Sequence, residues 1–325
     1  MSAAVTLTHA GTGSSLELVP DAGMVALSWI VAGEEVLALP CGRSEFLAAS
    51  RTGGIPLLYP YANRLGADRF DACGRAVDLT GVTSLKRDDH GLPIHGLLLR
   101  KGGWALEVPA AGQIAAQLDW GSDPELLAAF PFPHTLRIHW TVGAGVAPGA
   151  TALRVTTSVI ADRGSDVPAA FGWHPYFKVH EPERAQVLMG AAASVALGHD
   201  GLPTGDPPIG AAMPIRMGVG RGQDSLYLRQ IGADASLQPV ASVIDARRRI
   251  DIRMDGHFPF VQVFSPQGAS FACIEPMVAA TDALRRGNFT LVPSGSALVA
   301  AFEVEVIPCP PASGTGLTRP PSASA

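Results

Sequence analysis

Charge is scarce in this chain. Asp, Glu, Lys and Arg make up 16% of its 325 residues, and the net charge is −5 with nine His counted neutral. The basic residues are scattered, which argues against the electrostatic footprint of a nucleic-acid-binding protein. Cysteine is equally sparse. Cys41, Cys73, Cys273 and Cys309 show no CxxC spacing, and none sits beside a His at metal-ligand spacing. A disulfide framework is therefore not expected in a chain of this length. No apolar run reaches the length of a membrane span. The N-terminus, MSAAVTLTHAGTGSSLELVP, has neither a basic n-region nor a long apolar h-region. No signal peptide is read there, and a cytoplasmic protein is the expectation. Long uninterrupted helical stretches are missing too, because 36 glycines and 27 prolines break the sequence too often.

What remains is mostly apolar, 47% of the residues, and much of it alternates. HTLRIHW (134–140) sends Leu136, Ile138 and Trp140 to one face. TALRVTTSV (151–159) aligns Leu153, Val155, Thr157 and Val159. RRIDIRM (248–254) aligns Ile250, Ile252 and Met254. SALVAAFEVEV (296–306) sets Leu298, Ala300, Phe302, Val304 and Val306 against Ala301, Glu303 and Glu305. Period two with one apolar face predicts antiparallel strands. Further strands are expected at 4–9, 14–19, 23–31, 104–108, 113–119, 166–172, 184–189, 225–230, 236–244, 259–264 and 270–274. Short helices are expected at 123–130, capped by Asp123, and at 282–287, ending at Gly287. The fold class expected is all-β, a large antiparallel β-sandwich. One domain is read over 1–307. The tail 308–325, small, polar and proline-rich, is expected to be disordered.

Five stretches place polar residues in apolar or glycine-rich surroundings. In GGIPLLYPYANRLG (53–66), Asn63 and Arg64 follow an apolar run. Arg64 offers a rigid fork of donors suited to vicinal hydroxyls or a ring oxygen, and an exposed salt-bridged Arg in a turn is the plainer alternative. In DDHGLPIHGLLL (88–99), His90 and His95 flank a Gly-Leu-Pro turn at a spacing that does not fit a helical zinc site. In FGWHPYF (171–177), Pro175 holds His174 extended and Gly172 permits close approach. Trp173, Tyr176 and Phe177 could wall a sugar, or belong to the core. Asp224 in GQDSLYL (222–228), taken alone, reads as an Asx-turn or strand cap. Glu275 closes the apolar run FACI. Partial burial would raise its pKa toward the range of a general base, whereas an ion pair with Arg64 would lower it.

Taken together, YANRL (61–65), IHG (94–96), GWHPYF (172–177), LPTG (202–205), DSLYL (224–228), CIEPM (273–277) and TDA (281–283) resemble the aldose 1-epimerase, or mutarotase, family. They follow the family's order over roughly residues 50–295. The resemblance implies a galactose mutarotase-like sandwich that interconverts the α and β anomers of a free aldose. Glu275 matches the family's general base and His174 its general acid. Arg64, His95 and Asp224 match sugar-binding positions, Asn63 accompanies Arg64, and Tyr176 joins them from the aromatic motif. No metal or organic cofactor is implied. The expected partner is a monosaccharide, with no nucleic acid or membrane, and the chain is expected to be a monomer or homodimer.

The opening GGIP also occurs in the related hexose-6-phosphate branch, which would turn extra cations such as Arg51, Arg69 or Arg87 toward a phosphate. The histidine segment lacks the usual second polar residue before IHG, which detaches His90 from the pattern. A sandwich that binds sugar without turning it over is a further alternative. So is a hydrolase using Asp224 and Glu275 as its carboxylate pair. Acid and base roles predict a Glu275 that stays ionised and a His174 that stays protonated when substrate binds, a few ångströms apart on either side of a sugar-sized pocket.

Overall fold

The computed structural model describes residues 4–49, 51–205, 209–232 and 236–309. The architecture is all-β and antiparallel. A sheet of fifteen strands holds most of the strand residues, and a four-stranded sheet is built from Val5–His9, Ser14–Val19, Val25–Val31 and Glu34–Glu35. Strand Gln113–Asp119 pairs with His134–Ala144, which pairs with Thr151–Ala161, then Ala297–Pro308, then Arg248–Met254. The order continues through Gln238–Ile244, Gln186–Val195, Gln223–Arg229 and Phe260–Ser265 to Phe271–Met277. No helix among the described residues is long and apolar enough to cross a membrane.

The predicted alternation sets the inner face. Leu136, Ile138, Trp140, Leu153, Val155, Val159, Ile250, Ile252, Phe302 and Val304 are all buried. They share one core cluster with Leu16, Leu18 and Trp29 of the smaller sheet, which packs against His134–Ala144. Each large apolar side chain enclosed this way stabilises the fold by ~1.5–3 kcal/mol. Asp123 caps helix Pro124–Ala129, accepting from the amides of Glu125 and Leu126, and Gly287 ends helix Ala283–Arg286 in the left-handed region at φ 73°.

Some elements depart from expectation. Stretch 166–172 splits into Val167–Ala169, paired with Thr290–Val292, and Gly172–Trp173, paired with Leu57–Leu58. Helix Arg43–Ala48 and strand Ile209–Gly218 are additional. Glu305, expected on the outer face, is 1% exposed. It stays there because Arg253 pairs with it at 3.0 Å and the amide of Ala147 donates to it at 2.7 Å. Strand Ala297–Pro308 runs one residue into the expected tail, and 310–325 lie outside the described residues.

Candidate active site

Three neighbouring strands and one irregular segment bring the polar residues together. Glu275 lies on Phe271–Met277. Gln262 stands directly opposite it on Phe260–Ser265. Asp224 lies one strand further, on Gln223–Arg229, opposite Phe264. On the other side of Phe271–Met277 runs GWHPYF, where Gly172 pairs with Met277 and Tyr176 with Cys273. Pro175 has no amide hydrogen to donate, so the ladder breaks between those pairs. His174 is left in the break, its amide bonded to the carbonyl of Pro56 at 3.1 Å. Gly172 is required by backbone, since a Cβ there would lie 2.6 Å from the carbonyl oxygen of Pro276.

His174 Nε2 lies 3.3 Å from Oε1 of Glu275, and the two residues are 4% and 2% exposed. The hydroxyl of Tyr176 lies 3.3 Å from the same Nε2, and its ring stacks on the imidazole at 4.4 Å between centroids. Thr52 Oγ1 in turn holds that hydroxyl at 2.7 Å. Burial pushes the Glu275 carboxyl well above its ordinary value. The charge of Asp224 pushes the same way, and Arg64 opposes both. Burial pushes His174 down to about 3, aided by the charge of Lys86. In this geometry, without a sugar, burial favours the neutral form of each group. Desolvation of two fully enclosed groups outweighs their mutual attraction. Nor do the two stand apart across a pocket. His174 Nε2 lies equally close to Glu275 Oε1 and to the Tyr176 hydroxyl.

Asn63, Arg64 and His95 come from two segments that run side by side. The His95 amide donates to the Asn63 carbonyl at 2.9 Å, and the Leu97 amide to that of Tyr59 at 2.7 Å. Asn63 and His95 both adopt positive φ, 55° and 68°, which turns their side chains out of the strand-like path. The His95 ring meets the His174 ring edge-on at 5.4 Å. Burial, more than any neighbouring charge, holds His95 well below its ordinary pKa. Arg64 Nε donates to Asp88 Oδ2 at 2.6 Å and Nη1 to Asn63 Oδ1 at 3.0 Å. Burial alone would raise the pKa of Asp88. The bonds from Arg64 and from the amides of Leu92 and His90 outweigh it and leave the carboxyl below its ordinary value.

The structure thus gathers Arg64, Asn63, His95, His174, Tyr176 and Glu275, with Asp224 at the exposed edge of the group. The ion pair between Arg64 and Glu275 does not form, because Asp88 takes the guanidinium. Trp173 and Phe177 are core residues and wall nothing. Trp173 bonds Thr157 Oγ1 through Nε1 at 3.0 Å and packs edge-on to Trp140. His90 is exposed, its ring 5.9 Å from that of His199. Asp224 is a strand residue, with its Oδ1 bonded by the side-chain amide of Gln262. The sequence reading missed Gln262 and Asp88. Gln262 is 2% exposed, and its Oε1 has no partner among the described residues. A lone Gln inside the apolar run FPFVQVF was the available signal. A cavity of about 500 Å³, lined in part by Arg51, Thr52, Lys86, Tyr176 and Phe264, borders this group. A hollow of about 680 Å³ around Gly11, Arg247 and Pro308 contains none of these residues.

The family model for aldose 1-epimerase matches residues 4–296 of this chain. Among solved structures, the Slr1438 protein of Synechocystis sp. PCC 6803 is similar, at 22% identity and a TM-score of 0.74, over 94% of this chain and 96% of that one. A putative aldose 1-epimerase of Escherichia coli K12 has 18% identity and a TM-score of 0.68, over 94% and 99%. Galactose 1-epimerase of Lactobacillus acidophilus NCFM has 12% identity and a TM-score of 0.67, over 94% of each chain. At these identities the structures establish a galactose mutarotase-like fold. No curated protein is matched.

Proposed function

We propose that this chain, which belongs to the aldose 1-epimerase family, interconverts the α and β anomers of a free aldose by opening and reclosing the ring. The observation that carries this reading is the direct approach of His174 Nε2 to Glu275 Oε1 at 3.3 Å, with both groups buried. Between them they hold one transferable proton. Mutarotation needs such a pair, because O1 must lose a proton while the ring oxygen gains one.

With Glu275 ionised and His174 protonated, the carboxylate takes the O1 proton and the C1–O5 bond breaks as C1=O1 forms. Nε2–H then delivers its proton to O5. The pair is now neutral, the tautomer that burial favours, while the sugar is an open-chain aldehyde. Rotation about C1–C2 turns the other carbonyl face to O5. Attack by O5 returns its proton to His174, and Glu275 gives its own back to O1. Hydrogen bonds from the sugar hydroxyls offset part of the desolvation that disfavours the ionised tautomer. Arg64, Asn63 and the neutral His95 donate to the ring oxygen and hydroxyls. Asp224 accepts from hydroxyls on the opposite edge, and Tyr176 fixes the imidazole plane.

A second reading, that the aldose carries a phosphate, draws on Lys86. This half-buried lysine makes no ion pair among the described residues. Burial lowers its pKa, and Arg100, Arg51 and Arg64 lower it further. It lines the 500 Å³ cavity together with Arg51. Arg69 and Arg87 are otherwise engaged, with Asp78 and Asp68. Anomer exchange followed by NMR on glucose, galactose, arabinose and glucose 6-phosphate tests both readings. Acceleration that is lost in Glu275→Gln and His174→Asn is expected. Wild-type rates in both variants would refute the acid and base roles. No acceleration of any sugar would leave binding alone.

A further inference from the structure

Asp282 sits where a carboxylate is costly. It is 1% exposed and holds φ at 66° and ψ at 14°, the left-handed region that non-glycine residues adopt only at some strain. It occupies the N-cap position of helix Ala283–Arg286 but makes no side-chain cap. Its bonds go elsewhere. The backbone amide donates to the carbonyl of Arg64 at 3.0 Å, and Oδ1 accepts from the amide of Gly66 at 2.8 Å. One residue therefore grips the chain on both sides of Leu65, immediately after the guanidinium-bearing Cα.

The charge of Asp282 is neutralised by two arginines. Arg285 reaches it through Nη2 at 2.6 Å and Arg286 through Nε at 3.0 Å. Arg286 also donates through Nη2 to the carbonyl of Pro203. That second bond ties in the 198–205 loop, whose Gly201 lies against Arg64. A Cβ at Gly201 would stand 2.7 Å from Arg64 Nη1. Arg64 is thus held from three directions. Asp88 fixes the guanidinium, Gly201 closes over it, and Asp282 fixes the main chain from which it projects while anchoring the loop that bears Gly201.

We infer that Asp282 is the positioning residue for Arg64, setting the direction in which the guanidinium meets the sugar. Its role in turnover rests on the mutarotase reading above, whereas the positioning itself does not. The carboxylate binds Arg285 and Arg286 of its own helix without capping it, and its Oδ1 also reaches across to the Gly66 amide, a bond that no task within the helix requires.

A double-mutant cycle on the full chain tests the inference. Asp282→Ala is expected to lower kcat/KM for anomer exchange by roughly 10- to 100-fold when Arg64 is present. In an Arg64→Ala background it is expected to lower it by less than about 2-fold, because the two act as one unit. Equal losses in both backgrounds would overturn the inference. Should Asp282→Ala fail to fold, Asp282→Asn takes its place, since Asn keeps an acceptor for Gly66 and tolerates the left-handed backbone. The NMR signal of the Arg64 Nε–Hε group, assigned by its disappearance in Arg64→Lys, needs no substrate. It is expected to shift and to exchange faster with water in Asp282→Asn. An unchanged signal would overturn the inference even if the enzyme is active. A shifted signal in a protein that accelerates no sugar would uphold it while the proposed activity fails.

Discussion

Gln262 and Glu275 are direct cross-strand partners, and the same Gln262 side chain donates its amide to Asp224 on the next strand. One glutamine thus stands between the two acidic side chains. The charge of Asp224 already adds to the rise in the Glu275 pKa. The sheet register, rather than any loop, fixes the distance between the two acids.

Replacing this spacer with Gln262→Leu is expected to cost activity more than stability. Asp224 loses its donor and is free to rotate, which lowers kcat/KM by roughly 10- to 100-fold. The unfolding midpoint in urea is expected to change little, because an amide with one unpartnered oxygen gives way to an apolar side chain of similar size. Activity within 2-fold of wild type would sink the spacer role.

Opposite tilts with pH are expected from the two catalytic candidates. Burial lowers His174 to about 3, so below about 6.5 the unfolded chain binds a proton that the folded chain refuses. Its contribution is present above pH 6.5 and is lost as pH falls. Between pH 6.5 and 5 the loss is up to ~2 kcal/mol. Glu275 is raised, so the folded chain keeps a proton that the unfolded chain releases above about 4.3, and stability is lost as pH rises. Denaturant unfolding at pH 7 and pH 5 is the measurement. His174→Asn should lose less stability than wild type on acidification, and Glu275→Gln should lose more. Parallel shifts in both variants would contradict the neutral pair.

Gly96→Ala is expected to be among the most damaging single-methyl additions in the chain. Gly96 has φ at 72°, and a Cβ there would lie 2.1 Å from the carbonyl oxygen of Tyr59. The segment carrying His95 would have to separate from the one carrying Arg64, at a cost of ~3 kcal/mol or more. Gly81→Ala, with open space around its Cβ and no positive φ, should stay within ~0.5 kcal/mol of wild type. Urea midpoints compare the two, and equal shifts would show that the contact yields.

The strand pattern was legible because burial follows period two. Leu136, Ile138 and Trp140 face inward wherever a propensity argument would place them. Local chemistry located Asp123 as a cap and Gly287 as a helix stop. Strand Ile209–Gly218 escaped notice because IGAAMPIRMG offers little alternation. His174 and Glu275 could be named as candidates, yet their contact joins positions 174 and 275, and no local rule encodes a separation of that kind. The same holds for Gln262, whose meaning comes from register with Glu275, and for Asp282, whose partners lie at Arg64 and Gly66. The protonation of the central pair in the empty site was not legible, because the sequence reports charge type and leaves burial depth to the fold. The aromatic cluster was half misread, since Trp173 and Phe177 alternate into the core while Tyr176 turns to the imidazole.

The proposed site draws on Arg64, His95, His174, Asp224 and Glu275, and Asp282 closes the grip on the first of them. No contiguous fragment shorter than residues 64–282 contains them all. Contacts of such long range carry a high loop-closure cost and form slowly. During synthesis, a chain that has not yet released Asp282 from the ribosome lacks the clamp on Arg64, however much of the earlier sheet has formed. Regain of the proposed sugar turnover during refolding would therefore time the closing of the Asp282 clamp on Arg64, and a nascent or truncated chain that ends before Asp282 would lack that turnover.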